Sequence, residues 1–494
     1  MDQNFLPVAC DEGVYAIARE IQLSNPDKFK NIVLVLGSFH MAKILLGCLG
    51  KYVRGSGVSN VFIECSVFGV NVVESVLQGK NYVRGVQGML LLGEALFRLQ
   101  VTSFLKEHSI ESYASELENL LQIQQSITSA REKRIDHVDL DINVKKLLTD
   151  FETFVDRGRK TSEQFLYWDN FLRLLQLLRN LIRSDRQGLW ELHLATVQKL
   201  QPIFAVFDRV NYLRWSSLYL EDMRMLPKTA PEIHEMFMKG KHVVKRHQNK
   251  FTAVSADMAL EQTINRSQKS SSGIIGHTKQ KQFVAEWEIT HHERLMISNL
   301  FREITDSIPV VEGLNIHHEF SKTQTQNLEE KVNSMFQYIL QKGNPFDMTP
   351  IPLHNLVTKA LVSQDTKDKI LNLFQTGNEL YSTLRKERYE EKTTRISSTI
   401  HKVMLPVFDS NKKPSTEHTG KSGKKKSNSS AHRMIQIAQA REYDMQELFR
   451  YDLSDNCLLF DGQGLLRKPQ KKCISERSGN LLLQLYQQCI VPIR

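Results

Sequence analysis

The first forty residues alternate between short apolar runs and a segment of helical periodicity. Residues 5–10 form an apolar run that ends at Asp11, and residues 31–36 form a second, continuous one. Such runs are typical of strands buried on both faces. The segment between them predicts a helix with one apolar face. That face consists of Val14, Ile17, Ala18 and Ile21. The order strand, helix, strand indicates a small parallel sheet.

The rest of the chain reads as helices. Residues 37–40 are predicted to be a turn, and a helix is predicted over 41–53. Long amphipathic helices are predicted over 106–225, because apolar residues recur there at i, i+3 and i+4. Further helices are predicted downstream, among them 351–362. The fold class is therefore predicted as mainly α with a small N-terminal α/β core on a parallel sheet and a large helical insertion or bundle.

Changes in composition suggest five segments. We predict an α/β core over 1–105, a helical bundle insertion over 106–250, and a helical segment over 251–405 that completes the core. A polar, Lys-rich stretch over 406–433 is predicted to be a flexible linker, and residues 434–494 have no clear periodicity.

Charge and cysteine spacing narrow the classes of function. The formal net charge of +10 is mild for 494 residues and mildly favours polyanionic partners. No two of the six cysteines form a C-x-x-C pair, which argues against zinc ribbons and fingers. The chain opens with no secretory signal, and its richest apolar run, 88–97, has the length of a core helix rather than a membrane span. We expect an intracellular protein that does not enter membranes, with the nucleus slightly favoured because of the lysines at 424–426.

Two side chains are predicted to meet where the strands end. Asp11 follows the first strand and His40 follows the second, and parallel strands place such positions at one sheet edge, where ligands bind. Asp11 could hold Mg²⁺ or Mn²⁺, whereas the alternative is an N-cap for the following helix. His40 could be a metal ligand or a general base, whereas the alternative is a structural histidine.

A third acidic candidate, Glu261, belongs to a predicted helix that begins after Ser255. Asp257, Glu261 and Asn265 fall on one face at i, i+4 and i+8. This stripe could bind a metal–phosphate unit, with Glu261 as the ligand. The alternative is a solvated helix face.

The stretch after Glu261 is rich in serine, glycine and cations, and no P-loop spacing is present. Small residues let backbone N–H groups approach an anion, and neighbouring cations add charge. The candidate phosphate contacts are Arg266, Lys269, Lys279 and Lys281. The alternative is a surface loop without a ligand.

Several motifs together resemble an uncharacterised family of domains found in transposon-like open reading frames of animals and fungi. They are PVACDEGVYAIARE around Asp11, NIVLVLGSFH ending at His40, FGVNVVESVLQGKNYVRG from Phe68 and LEQTINRSQKSSSGIIGHTK from Leu260. The resemblance covers roughly residues 5–410.

The order of parts in that family looks like an RNase H-like transposase with a helical insertion. The resemblance implies that Asp11 and Glu261 are metal ligands for phosphoryl transfer, with His40 beside them. Ten residues precede Asp11, fewer than the hairpin that opens an RNase H-like sheet. We therefore expect a shortened chain or a different fold. Two alternatives stay open: a protein that has lost catalysis, and one that performs metal-dependent phosphoryl transfer on nucleic acid.

Two hypotheses of function follow. The first is a mobile-element-derived, transposase-like protein that binds nucleic acid, with Asp11, His40 and Glu261 close together among cations. The second is a non-enzymatic helical scaffold for protein partners, which predicts a large exposed apolar patch on the bundle.

Overall fold

The computed structural model describes residues 4–108, 142–245, 252–263, 280–290 and 322–408, with isolated positions at 113, 115–116, 118, 265–266, 293 and 296–297. The predicted fold class is confirmed, since the protein is mainly helical and carries a two-stranded parallel sheet near its N-terminus. These residues belong to a compact unit, Met1–Lys413, and a second unit begins at Pro414, outside the described residues.

The sheet is built by one strand–helix–strand unit. Strand β1 (Leu6–Cys10) pairs in parallel with β2 (Ile32–Leu36), and helix α1 (Glu12–Ser24) connects them. In register, Leu6 lies opposite Ile32 and Cys10 opposite Leu36. The carboxyl ends of both strands therefore meet at one edge.

The other helices follow in chain order. They are α2 (Ser38–Tyr52), α3 (Val58–Glu64), α4 (Val70–Leu77), α5 (Tyr82–Glu107), α6 (Ile142–Thr161), α7 (Glu163–Gln187), α8 (Trp190–Val206), α9 (Val210–Thr229), α10 (Pro231–Met238), α11 (Ala256–Gln262), α12 (Lys281–Ile289), α13 (Lys322–Gln341), α14 (Gln364–Leu371) and α15 (Leu373–Arg385). A π-helical turn, Lys386–Glu390, extends α15. Strands β3 (Val243–Lys245) and β4 (Ala253–Ser255) form a short antiparallel pair directly before α11.

The hydrophobic core is continuous across the three predicted segments of residues 1–405, although the divisions at 105 and 250 stay predictions. Tyr52 on α2 and Tyr167 on α7 stack at 4.5 Å, and each hydroxyl donates to the other residue's carbonyl oxygen, at 3.0 and 2.7 Å. Helices α2 and α4 also approach closely at Gly50, where a Cβ would lie 1.7 Å from the Leu77 carbonyl oxygen. The sheet unit and the bundle are thus packed as one body.

Helix α1 is confirmed, but its apolar face does not pack into the core. Val14, Ile17 and Ile21 are 56%, 62% and 48% exposed, whereas Tyr15 is fully buried. The helix is turned this way because Tyr15 packs edge-on against two aromatic rings of α9, at 6.4 and 6.3 Å. An ion pair between Arg19 and an aspartate of α9, at 2.8 Å, supports the same orientation.

The helix predicted over 351–362 was wrong. Asn355 Oδ1 accepts hydrogen bonds from the N–H groups of Val357 and Thr358, which closes a turn. An isolated antiparallel β-bridge pairs His354 with Leu361. Asparagine favours such turns because its side chain replaces a backbone partner.

Among the described helices, α5 is the one long and apolar enough to cross a membrane by length and composition. In the protein, 61% of the most apolar part of α5 is buried. A core helix can have the same length and composition, so this helix is weak evidence for a membrane span.

Candidate functional site at the sheet edge

The candidate site begins where the two strands end. The Gly37 N–H donates to the Cys10 carbonyl oxygen at 2.7 Å, so the parallel pairing continues to the last residue of each strand. Asp11 and the segment Ser38–His40 therefore leave the sheet at the same edge, as the sequence predicted.

Asp11 adopts the role of helix cap. It is the N-cap residue of α1, and its Oδ1 accepts a hydrogen bond from the Val14 N–H at 2.9 Å. Capping satisfies one of the otherwise unpaired donors at the helix start. The carboxylate is exposed, which leaves its second oxygen open to solvent or a ligand.

The segment Ser38–His40 forms the first turn of α2 rather than the predicted exit turn. Gly37 at the N-cap has no side chain to offer, and Asp257 of α11 takes its place. The Asp257 carboxylate accepts from the N–H groups of Phe39 and His40 at 3.2 and 3.1 Å. The negative charge of a carboxylate at this position also interacts favourably with the positive end of the helix dipole.

Asp257 is also paired with the His40 ring. Its Oδ2 lies 3.0 Å from His40 Nδ1, and the Asp257 side chain is 4% exposed against 22% for His40. A Cβ on Gly37 would lie 2.3 Å from Asp257 Oδ2, so only glycine allows the carboxylate to reach the helix start. The solvated-face interpretation of the α11 stripe was therefore wrong for Asp257.

The electrostatics show which groups share this neighbourhood. The hydrogen bond with Asp257 raises the pKa of His40 above its ordinary value of 6.5, burial opposes this, and the charges of Asp257, Asp11 and Glu261 add to the rise. Burial alone would raise the pKa of Asp257, but its hydrogen bonds with His40, Ser255 and Phe39 together outweigh burial and lower it. Both nominated carboxylates thus lie within electrostatic reach of His40.

A buried polar chamber lies behind this pair. Ser38 Oγ donates to Asp185 Oδ2 at 2.7 Å, and burial raises the pKa of Asp185 to about 8. His193 Nε2 contacts the Tyr219 hydroxyl at 3.1 Å, and burial lowers the pKa values of His193 and His242 to about 3 and about 4. The chamber has a volume of about 20 Å³, enough for one water molecule.

An open cleft of about 410 Å³ lies in front of the pair, between α2, α4, α5 and α11. Phe39 and Tyr82 meet edge to face there at 4.9 Å, beside the exposed Lys80. The cleft is lined by Phe39, Ser75, Lys80, Asn81, Tyr82, Val83, Met258, Glu261 and Gln262. It therefore combines aromatic, cationic, amide and carboxylate groups, and its volume is in the range of ligand-binding sites.

The carboxylates do not form a ready metal site. Among the described residues, no three His, Cys, Asp or Glu side chains are grouped so that they could hold one metal ion. Both Asp257 oxygens accept hydrogen bonds, and one Asp11 oxygen caps α1. The Mg²⁺ or Mn²⁺ site predicted from Asp11 and Glu261 stays a prediction, and we derive no reaction step through a metal.

The predicted phosphate contacts lie mostly beyond the described part of the chain. Arg266 is exposed shortly after the end of α11, and Lys281 is the first residue of α12. Lys269 and Lys279 lie outside the described residues.

Sequence reasoning nominated His40, Asp11 and Glu261 but missed the residues that hold His40 in place. Asp257 was on the recognised stripe, and its position at i−4 from Glu261 was the available signal. Asp185, His193 and His242 come from the bundle and the loop before β3, and no local spacing connects them to the sheet.

A family model described as "Domain of unknown function (DUF8702)" matches residues 1–452. No curated protein and no solved structure matches. The match confirms that the chain belongs to an uncharacterised family, and the link to transposon-like open reading frames stays a prediction.

Proposed function

Because this chain belongs to the DUF8702 family, a domain of unknown function, we propose its role from its own residues. The cleft supports nucleic-acid binding, and the motif resemblance supports a transposase-like, mobile-element-derived protein. The observation that carries the proposal is the open cleft, which places aromatic rings, a lysine and side-chain amides around one space.

Each group in the cleft matches a part of a nucleotide. Bases stack on aromatic side chains such as Phe39 and Tyr82, and this contact tolerates any sequence. The ammonium of Lys80 suits a phosphate, and its neutral neighbours Asn81 and Gln262 suit base edges. Glu261 repels phosphate but accepts hydrogen bonds from exocyclic amino groups, so it favours a base at that end of the cleft.

The charge of the chain supports the same ligand. Residues 411–433 contain seven Lys and Arg against one acid, and Arg266 begins the second basic stretch. Basic segments in a chain raise the local concentration of a polyanion around it. A nuclear location is part of this proposal, since nucleic acid is the proposed partner.

The proposal does not require catalysis. Asp11 and Asp257 hold the N-termini of α1 and α2, so both carboxylates have roles without a metal. If phosphoryl transfer occurs, Asp11, His40 and Glu261 are its candidate residues.

The test is the salt dependence of binding, measured by fluorescence anisotropy on the full chain. Labelled 20-mer single-stranded and duplex DNA are titrated between 50 and 200 mM KCl. Phosphate contacts release counterions, so we expect the affinity to fall steeply with salt, and Lys80→Gln to lower the log–log slope by about 1. Lys145→Gln, an exposed lysine on α6, is the matched control and should leave the slope unchanged. An affinity that stays flat with salt would overturn the proposal.

A second candidate, a helical scaffold for protein partners, is favoured by the exposed stripe on α1. Val14, Ile17 and Ile21 recur at i, i+3 and i+7, a pattern that seats helices in apolar grooves. The sequence predicted such a patch on the bundle, whereas this stripe lies beside the sheet. Light scattering tests self-association of the wild type and Ile17→Glu; a shift from dimer to monomer in the variant would support this candidate, and monomers in both at 200 µM would count against it.

A further inference from the structure

Helix α2 carries a row of residues that leads away from the cleft. Phe39 lines the cleft, and Lys43, Gly47 and Lys51 follow it at intervals of four residues. Residues spaced by four lie along one ridge of a helix. Lys43 is exposed, and Gly47 and Lys51 are half-buried.

The row is one-sided in charge. Residues 38–52 contain no Asp or Glu, so no acid of α2 itself offsets the two lysines. Lysines on a solvated helix are commonly matched by acids at i−4 or i+4. Here those positions hold Phe39 and Gly47 around Lys43.

Two arginines complete the row at its far end. Arg54 follows α2 directly, and Arg209 precedes α9. The Arg209 guanidinium lies over Gly47: a Cβ placed on that glycine would be 3.6 Å from Arg209 Nη2. In both arginines the Nε atom is buried and has no hydrogen-bond partner.

The acids near this end are already engaged. Asp208 accepts hydrogen bonds from the N–H groups of Val403 and Met404, at 2.6 and 3.0 Å. Glu74 lies 3.7 Å from Arg54 and also accepts a hydrogen bond from a glutamine of its own helix. Burial lowers the pKa of Lys51, the charge of Asp208 opposes this, and Arg209 and Arg54 lower the pKa further.

Helix-dipole compensation explains only part of this arrangement. Cations in the last turn of a helix are favourable, and this accounts for Lys51 and for Arg54 just beyond it. It does not account for Lys43 in the middle of α2, nor for Arg209, which stands at the positive N-terminus of α9.

We propose that the ridge of α2 formed by Lys43, Gly47 and Lys51, together with Arg54 and Arg209, binds the sugar–phosphate backbone of the nucleic acid whose base enters the cleft. From Phe39 to Lys51 the helix rises about 18 Å. That length corresponds to about five base pairs of duplex at 3.4 Å each.

This inference rests on the proposed function, and its test separates the two. The full chain is compared with Lys43→Gln/Lys51→Gln and with the control Lys145→Gln/Lys146→Gln, a pair of exposed lysines on α6. Binding to labelled 20-mer duplex and single-stranded DNA is followed by anisotropy between 50 and 200 mM KCl. Two lost phosphate contacts should lower the log–log slope by about 1.8 on duplex, and the control should keep the wild-type slope.

The variants are expected to fold. Burial is the largest cause of the lowered pKa of Lys51, so Lys51→Gln removes a charge that burial disfavours and the melting temperature should not fall. The single variant Lys43→Gln changes an exposed side chain only. Lys43→Gln alone should lower the slope by about 0.9.

A reduced slope in the α2 variants and not in the control supports the binding of the nucleic-acid backbone along α2. An unchanged slope in the α2 variants, or an equal loss in the control, overturns this inference, while the proposed function stands. If the wild type binds DNA without salt dependence, both proposals fail.

Discussion

Removal of the Asp257 carboxylate tests whether one residue of α11 holds the start of α2. Asp257→Ala leaves the N–H groups of Phe39 and His40 and the His40 ring without an acceptor. Loss of a helix cap costs about 1 kcal/mol, and loss of a hydrogen bond to a charged group costs about 2 kcal/mol. We therefore expect the free energy of unfolding to fall by about 3 kcal/mol. Asp257→Asn keeps one acceptor oxygen, so it should lower the free energy of unfolding by about half as much.

The pH dependence of the same pair has a defined sign. The pKa of His40 is raised on folding, so its contribution is fully present below about 6.5 and is lost as the pH rises through the higher folded value. The pKa of Asp257 is lowered, so its contribution is present above its ordinary value of 3.8 and is lost as the pH falls through the folded value. The pair should stabilise the protein most between pH 4 and pH 6.5.

Urea unfolding followed by tryptophan fluorescence, at pH 5.5 and pH 8.5, measures both effects. His40→Gln should cost more at pH 5.5 than at pH 8.5, because only the charged ring gains the full attraction. An equal cost at the two pH values would refute the ion pair. A cost below about 0.5 kcal/mol for Asp257→Ala would refute the cap.

Three further predictions concern packing and buried charge. Gly50→Ala should destabilise the protein by at least about 2 kcal/mol in urea unfolding, because its Cβ would lie 1.7 Å from the Leu77 carbonyl oxygen, whereas Gly69→Ala, with nothing within 4 Å, is the control. Asp185→Asn should be more stable than the wild type at pH 8, since the raised pKa of Asp185 makes folding take up a proton, and this gain should shrink towards pH 4; a less stable variant at pH 8 would contradict a protonated Asp185. The wild type should lose stability between pH 6.5 and pH 4, because His242, neutral and buried with a pKa of about 4, takes up a proton when the chain unfolds. His242→Phe should lose less stability over this range, and an equal loss in the variant would contradict this.

Local pattern predicted the sheet unit well. The continuous apolar run at 31–36 and the cap residue Asp11 are local signals, and parallel pairing across one connecting helix follows from them. Local pattern failed at the start of α2, because the residue that caps it is Asp257, 217 positions further along the chain than His40. The orientation of α1 could not be predicted either, since it depends on two aromatic rings of α9 that receive Tyr15.

The candidate site shows the same division between local and distant information. His40 and Asp11 could be nominated because strand ends are visible in the sequence. Asp257 looked like part of a solvated stripe, because a helix of seven residues has too little periodicity to show which face is buried. Lys80 and Tyr82 lie in the motif that begins at Phe68, but the motif indicated no role for them, and only the packing of α11 against the start of α2 makes them walls of a cleft.

At the edge of the sheet, the carboxylates of Asp11 and Asp257 accept hydrogen bonds from backbone N–H groups. Asp11 holds the start of α1, and Asp257 holds the start of α2 and the His40 ring. A metal that recruited both would have to break these bonds, each worth about 1 kcal/mol or more, and would free helix ends that have no other acceptor. The cations, by contrast, lie along α2 and beside the cleft with their acids already engaged. The arrangement therefore supports the proposed binding of a polyanion along α2, while the metal site predicted from Asp11 and Glu261 stays a prediction.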